Sequence, residues 1–386
     1  MRPLFSLTFY RRHLILLCVI ILAITSSATA QNFFKDDYEP EKKIILLANP
    51  TVGNLKTINY LIDNKLLRIN TGKVQFVGVY HNTQQYDFSK TQKYIDEENL
   101  NYFHLHELNC HIDEESLFSG NACTGELKNM FDNSAGIFFF GGPDIPPSVY
   151  GEENALSVVT DPGRHYFELT FLFHLLGGSQ NRSFKPFLEE NPDYFATGFC
   201  LGLQTFNVAT GGSLIQDIPS EIYNATDDES IVKLEQSCLH RNYWQNVSDD
   251  SMIMGINIHA IKFTANSFFG KRVKVPKNLQ PNIYSSHHQA IETPGEGFEV
   301  TALSDDHKII EGIAHTRYPQ VFAVQFHPEV SALYEEMEKW KFKPGDEPKS
   351  YHQLIESDGL SFHRKYWRYV SKALKKSLKK FSLQDK

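Results

Sequence analysis

Two short segments, more than a hundred residues apart, constrain this chain most. One is Gly198-Phe199-Cys200-Leu201-Gly202-Leu203-Gln204, and the other is Gln325-Phe326-His327-Pro328-Glu329. Each follows an apolar stretch that reads as a buried strand, Tyr194 to Thr197 and Val321 to Val324. The segments therefore bring a thiol, an imidazole and a carboxylate to strand ends, where an open α/β sheet presents its chemistry. That combination is what cysteine-dependent acyl transfer requires.

Gly198 and Gly202 bracket Cys200 symmetrically, as in the nucleophile elbow G-x-S-x-G, with sulfur replacing the hydroxyl. A sharp strand-to-helix turn needs small neighbours. The run Leu201 to Val208 reads as a helix starting beneath the sulfur, where free N–H groups favour a thiolate and hold an oxyanion. A cysteine between glycines also serves as a small core residue, so the pattern alone leaves both readings open. His327 before Pro328 fits a strand end as well as a general base, and Glu329 fits an exposed carboxylate as well as the group that orients the imidazole.

Both segments resemble the signatures of class I glutamine amidotransferase-like proteins, and the chain is most similar to their gamma-glutamyl-gamma-aminobutyrate hydrolase group of gamma-glutamyl peptidases. Four further stretches carry the narrower resemblance: Gly141 to Glu153, Asn207 to Ile218, Ser286 to Ile291, and Asp161-Pro162-Gly163-Arg164 leading to Phe167-Glu168. It covers the chain from about Ile44 to Val330. The resemblance implies a flavodoxin-like α/β fold, an open and mainly parallel sheet with helices on both faces. It implies a catalytic trio of Cys200, His327 and Glu329, with an oxyanion hole from the N–H groups of Gly142 and Leu201. Gln204, one helical turn beyond Cys200, would bind the glutamyl group, and His287, His288 and Gln289 would rim the pocket. A strand-ending turn at Gly141-Gly142 and a solvated turn at His287 to Gln289 remain the plainer alternatives. His165 stands where the family often has Asp, and Leu201 where the hydrolases commonly have Arg. Both departures lie outside the trio and leave the acyl-acceptor side of the pocket open.

The expected activity is hydrolysis of a small γ-glutamyl amide through a cysteine thioester, with no cofactor and no metal. A glutaminase feeding ammonia to a synthetase and a catalytically silent γ-glutamyl-binding protein are the rivals. A glutamine-specific assay separates the first, and the reactivity of Cys200 toward alkylation the second.

The chain has 386 residues, 41% hydrophobic and 22% charged, enough for a substantial core. Its formal net charge of −8 opposes non-specific nucleic-acid binding. Arg2, Arg11 and Arg12, the apolar run Leu14 to Ile24 and the ending Ala28-Thr29-Ala30 have the layout of a secretory signal peptide spanning residues 1–30. Cleavage there predicts export to the periplasm or the medium, with no membrane association afterwards. An uncleaved anchor is the alternative.

Residues 31–386 then read as a single hydrolase domain. Cys110 and Cys123 could form a disulfide, worth about 3 kcal/mol at that loop length. Alternatively, His104, His106, Cys110, His111 and Cys123 could form a zinc cluster, although their spacing fits no common structural pattern.

Strands at Ile44–Ala48 and Val74–Val79, a helix bearing Leu55, Ile58, Leu61 and Ile62, and a helix bearing Phe167, Leu169, Phe171 and Leu175 give a βαβα order. Ile215 to Tyr284 reads as an antiparallel flap, and residues 331–358 as a polar insertion. Phe362 to Leu378 reads as a basic helix packed through Tyr366, Trp367 and Tyr369.

Overall fold

Apolar strands buried on both faces dictate the architecture. The computed structural model describes residues 32–34, 42–265, 268–276 and 278–381. Among them the strands are β1 (Lys43–Ala48), β2 (Val74–His81), β3 (Phe103–Leu108), β4 (Gly136–Phe139), β5 (Phe195–Phe199), β6 (Leu214–Ile215), β7 (Asn257–Phe263), β8 (Asn282–Ser285), β9 (Ala290–Ile291), β10 (Phe298–Ser304), β11 (Ile310–His315) and β12 (Val321–Val324). All but β6 and β9 form one ten-stranded sheet in the order β3-β2-β1-β4-β5-β12-β11-β10-β7-β8. Pairing is parallel from β3 to β12 and antiparallel from β12 to β8.

The parallel half must be covered on both sides, since β2, β4 and β5 are buried along their whole length. In β1, Ile44, Leu46 and Ala48 enter one core cluster while Ile45 and Leu47 enter the other, the two-residue period of a strand between two layers. Five helices run between these strands and after β5: α1 (Val52–Asp63), α2 (Ser89–Glu97), α3 (Thr124–Asp132), α4 (Pro162–Leu176) and α5 (Leu201–Ala209). In α4, Asp161 caps the N–H of Arg164 and Pro162 occupies the first turn, so the helix start is written locally. The C-terminal helix, Glu356–Lys380, lays Phe362, Tyr366, Trp367, Val370 and Leu374 on the face that also carries Ile45 and Leu47.

Two expectations change. Ile215 to Tyr284, expected as an antiparallel flap, belongs in part to the sheet itself. β7 pairs with β10 and β8, and so continues the main sheet. Before β7 the segment holds short helices, among them Ile218–Tyr223 and Asp228–Ile231. The stretch 331–358, polar on average, supplies Leu333, Phe342 and Ile355 to a third cluster with Ile231, Leu239, Tyr243 and Met254.

Cys110 and Cys123 form a disulfide with a Cα–Cα distance of 5.2 Å, joining the loop after β3 to the start of α3. Their sulfurs are therefore not metal ligands, and His106 instead lies 3.1 Å from Glu126. Residues 1–30, the predicted leader, lie outside the described residues.

Candidate active site

β5 and β12 are parallel neighbours with Val324 opposite Phe199, so the segments after them leave the same sheet edge side by side. The N–H of Cys200 donates to Val324 O at 3.0 Å, the last bond before the chain turns. Cys200 has φ 54° and ψ −110°, a strained conformation for a side chain other than glycine. The surroundings enforce it. A Cβ on Gly198 would lie 2.7 Å from the Gly202 carbonyl carbon, and one on Gly202 would lie 2.8 Å from Phe139 O. No side chain fits at either glycine.

His327 Nδ1 meets Glu329 Oε1 at 2.6 Å, and Cys200 stands on the same side of the ring as Gly141. Gly141 packs against both the base and the thiol: a Cβ there would stand 2.9 Å from His327 Cε1 and 3.5 Å from Cys200 Cβ. Burial disfavours the imidazolium, but Glu329 and Cys200 outweigh it and hold His327 well above the usual histidine range. The turn between His327 and Glu329 is held from behind. Pro328 O accepts from Trp367 Nε1 at 2.9 Å and from the Tyr334 hydroxyl, and His327 N–H donates to Tyr284 O at 2.9 Å. A thiol, an imidazole and a carboxylate in this order are a nucleophile, its base and the group that orients the base.

The loop after β4 faces this trio. Arg164 is buried, donates through Nε to Glu168 at 2.8 Å, and through Nη2 to Phe140 O at 2.8 Å and Gly141 O at 3.1 Å. The Gly141 carbonyl and the Gly142 N–H belong to one planar trans peptide and point opposite ways. By holding that carbonyl, Arg164 turns the Gly142 N–H away from itself. Among the described residues no acceptor occupies the Gly142 or Leu201 N–H. The clash-free room for Arg164 also requires glycine at 142, where a Cβ would lie 2.0 Å from Arg164 Nη1.

A cavity of about 710 Å³ opens beside Cys200 and Gly142. His288, on its wall, lies 3.2 Å from Asp217 through Nδ1 and 2.9 Å from Asp144 through Nε2. Burial opposes its charge, yet the two carboxylates raise its pKa. Arg241 also lines the cavity, stacks over the Tyr243 ring at 4.7 Å, and forms no ion pair among the described residues. Gln289 lines it too, with Nε2 on Ser157 Oγ at 2.7 Å.

Two expected pocket residues are placed differently. Gln204 does not line the cavity. Its amide donates to Gln289 O at 3.3 Å and to Gln325 Oε1 at 3.5 Å, so it braces the wall from inside. His287 reaches the cavity wall, but its ring turns inward: Nδ1 meets Gln289 O at 2.8 Å and burial lowers its pKa well below the usual range. The His165 ring is buried without a hydrogen bond among the described residues, with its pKa lowered to about 3 by burial and then by Arg164. Nothing in the structure explains its presence there.

Sequence reasoning missed Arg164, Arg241 and Trp367 as site residues. The i,i+4 pair Arg164–Glu168 on a capped helix was a readable signal for the first. The other two reach the site only through folding.

A glutamine amidotransferase-like protein, YvdE of Lactococcus lactis, is 32% identical over 221 residues, covering 57% of this chain and 76% of its own. A glutamine amidotransferase-like protein of Rickettsia prowazekii is 28% identical over 224 residues, 53% of this chain and 72% of its own. The gamma-glutamyl-gamma-aminobutyrate hydrolase PuuD of Escherichia coli is 26% identical over 207 residues, 53% of this chain and 67% of its own. The Peptidase C26 family model matches residues 117–329, more than half of the chain and inclusive of Cys200, His327 and Glu329. The chain belongs to the Peptidase C26 family, within the class I glutamine amidotransferase-like group.

Proposed function

We propose that this protein is an exported γ-glutamyl hydrolase that cleaves the γ-amide bond of a small substrate. The observation that carries the reading is the strained Cys200 elbow beside a His327 that Glu329 orients. His327 takes the Cys200 proton, the sulfur attacks the γ-carbonyl carbon, and the carbonyl π electrons move to oxygen. The Gly142 and Leu201 N–H groups receive that oxyanion. The tetrahedral intermediate collapses, the C–N bond breaks, and His327 gives its proton to the departing amine. Water, deprotonated by His327, then attacks the γ-glutamyl thioester, releasing glutamate and restoring the thiol.

The cavity suits a zwitterionic glutamyl group. Arg241 is the cation for its carboxylate, and Asp228 on the same wall is the anion for its ammonium. The Cys110–Cys123 disulfide supports the export half of the reading, since such bonds persist in oxidising compartments. Neither nucleic acid nor a cofactor enters this chemistry.

The test is glutamate release from a panel of γ-glutamyl amides that includes glutamine. Activity lost in Cys200→Ala is the expected result. No release from any member, or unchanged release by Cys200→Ala, overturns the proposal. Activity confined to glutamine would replace it with a glutaminase.

A further inference from the structure

Behind the pocket wall, four buried side chains from separate segments converge. His240 follows the turn Gln236–Cys238, His259 is on β7, His287 lies between β8 and β9, and Glu311 is on β11. Their exposures are 2%, 4%, 4% and 0%. On Glu311 Oε1 converge His240 Nδ1 at 3.0 Å, His259 Nε2 at 3.8 Å and His287 Nε2 at 3.9 Å.

The hydrogen-bond directions make this cluster unusual. His259 Nδ1 lies 3.1 Å from Ala260 O, and His287 Nδ1 lies 2.8 Å from Gln289 O. A carbonyl oxygen only accepts, so each ring carries its proton on Nδ1 and a lone pair on Nε2. Both lone pairs therefore face a carboxylate, acceptor against acceptor. Among the described residues neither Nε2 finds a hydrogen-bond partner, nor does either Glu311 side-chain oxygen, nor either nitrogen of His240. Buried polar atoms left this way are costly, and a cation among them removes the conflict.

We infer that His240, His259, His287 and Glu311 form a zinc site. Three imidazoles and a carboxylate are donors that zinc accepts, and tetrahedral bonds of about 2.0–2.1 Å put ligand atoms roughly 3.4 Å apart. The three separations from Glu311, 3.0, 3.8 and 3.9 Å, bracket that value. Backbone carbonyls holding the distal ring nitrogens are the usual support for metal-bound histidines. The ligand atoms of His240, His259 and Glu311 lie within 4.8 Å of one another, and His287 Nε2, 3.9 Å from Glu311 Oε1, is the fourth donor that would close the site.

Its placement says what it stabilises. His287 N–H donates to His240 O at 3.1 Å, and Gln325 N–H donates to Glu311 O at 3.0 Å. The ion would tie β7 and β11 to the His287–Gln289 pocket wall and to the start of the Gln325–Glu329 segment.

Metal content is read independently of activity, so the test stands apart from the hydrolase reading. Elemental analysis of the purified full-length protein should find about one zinc per chain. X-ray absorption should show nitrogen and oxygen neighbours near 2.0–2.1 Å with imidazole scattering. His259→Ala and Glu311→Gln should lose the ion. If those variants do not fold, chelator-treated wild-type protein should take up one equivalent of cobalt(II) with the visible bands of a tetrahedral site. A folded wild-type protein that carries no metal and takes up neither zinc nor cobalt overturns the inference, as does full zinc content in folded Glu311→Gln.

Discussion

Replacing Arg164 with lysine tests how the proposed oxyanion donor is aimed. The guanidinium spans Glu168 at 2.8 Å and the carbonyls of Phe140 and Gly141 at 2.8 and 3.1 Å. An ammonium on a shorter, unforked stem keeps the charge but cannot hold both ends. Each hydrogen bond to a charged group is worth about 1.5–3 kcal/mol, so losing the carbonyl end frees the Gly141–Gly142 peptide to rotate. Loss of one oxyanion donor costs about 10²–10³ in kcat. The expected result is kcat down roughly 100-fold with KM changed less than about threefold, the signature of an interaction made mainly in the transition state. The retained charge beside Glu168 limits the loss of stability to about 2 kcal/mol, below the usual cost of breaking a buried pair. Steady-state kinetics on the best γ-glutamyl substrate, with circular dichroism and a thermal melt, measure all three. A folded Arg164→Lys variant with kcat within about threefold of wild type refutes the positioning role.

Other expectations follow from the same geometry. Arg241→Ala should raise KM about 10- to 100-fold for substrates with a free α-carboxylate and much less for their esters, since a charged hydrogen bond of about 1.5–3 kcal/mol is lost; equal effects on both would remove Arg241 from carboxylate recognition. Trp367→Phe removes the donor to Pro328 O and should cost about 1 kcal/mol of stability and lower kcat; an unchanged melt and kcat would show that the turn needs no such support. His327 has a folded pKa raised above its unfolded value, so its contribution to stability is complete below about pH 6.5 and is lost as pH rises through the folded value. Glu329→Gln should therefore shrink the alkaline decline in melting temperature and lower kcat by about 10³–10⁴, whereas an unchanged pH profile would contradict the ion-pair assignment.

The strand ends and the elbow were legible because their signals are local. β12 spans the expected Val321–Val324, whereas β5 runs on to Phe199 because its ladder with β12 continues to Val324. Gln204 was misplaced for an instructive reason. Helical spacing does put it one turn from Cys200, but α5 is buried on every side, so that direction meets Gln289 and Gln325 before it meets the cavity. Periodicity gives a face without saying what the face meets. His287 and His288 show the same limit, since these neighbours between β8 and β9 meet different partners, one the Glu311 cluster and one Asp144 at the cavity.

What stayed illegible depends on distant partners. Arg241 follows a short helical turn with no motif around it, and Trp367 lies on a helix whose aromatic stripe reads only as core. His240, His259, His287 and Glu311 are too far apart in sequence for any ligand spacing to flag them, and antiparallel pairing of β7, β10 and β11 is what brings two of them together. The polar average of residues 331–358 hid Leu333, Phe342 and Ile355, because a few buried residues suffice to seat a stretch whose remaining side chains face water.

The packing that selects the fold also fixes the register of the trio. In β12, Val321 and Ala323 enter one core layer while Phe322 and Val324 enter the other; in β5, Ala196 and Phe199 divide likewise. A one-residue slip between these strands would move His327 about 3.3 Å along Cys200 and turn every β12 side chain to the wrong layer. Phe322, wholly buried between Phe195, Phe268 and the C-terminal helix, would then face α5 and its neighbours, where alanine and valine now sit. Burial of one such ring is worth about 1.5–3 kcal/mol, so several displaced at once make the alternative register inaccessible. The thiol and the imidazole need no separate device to find each other, because the alternation of large and small apolar residues on two adjacent strands already sets their separation.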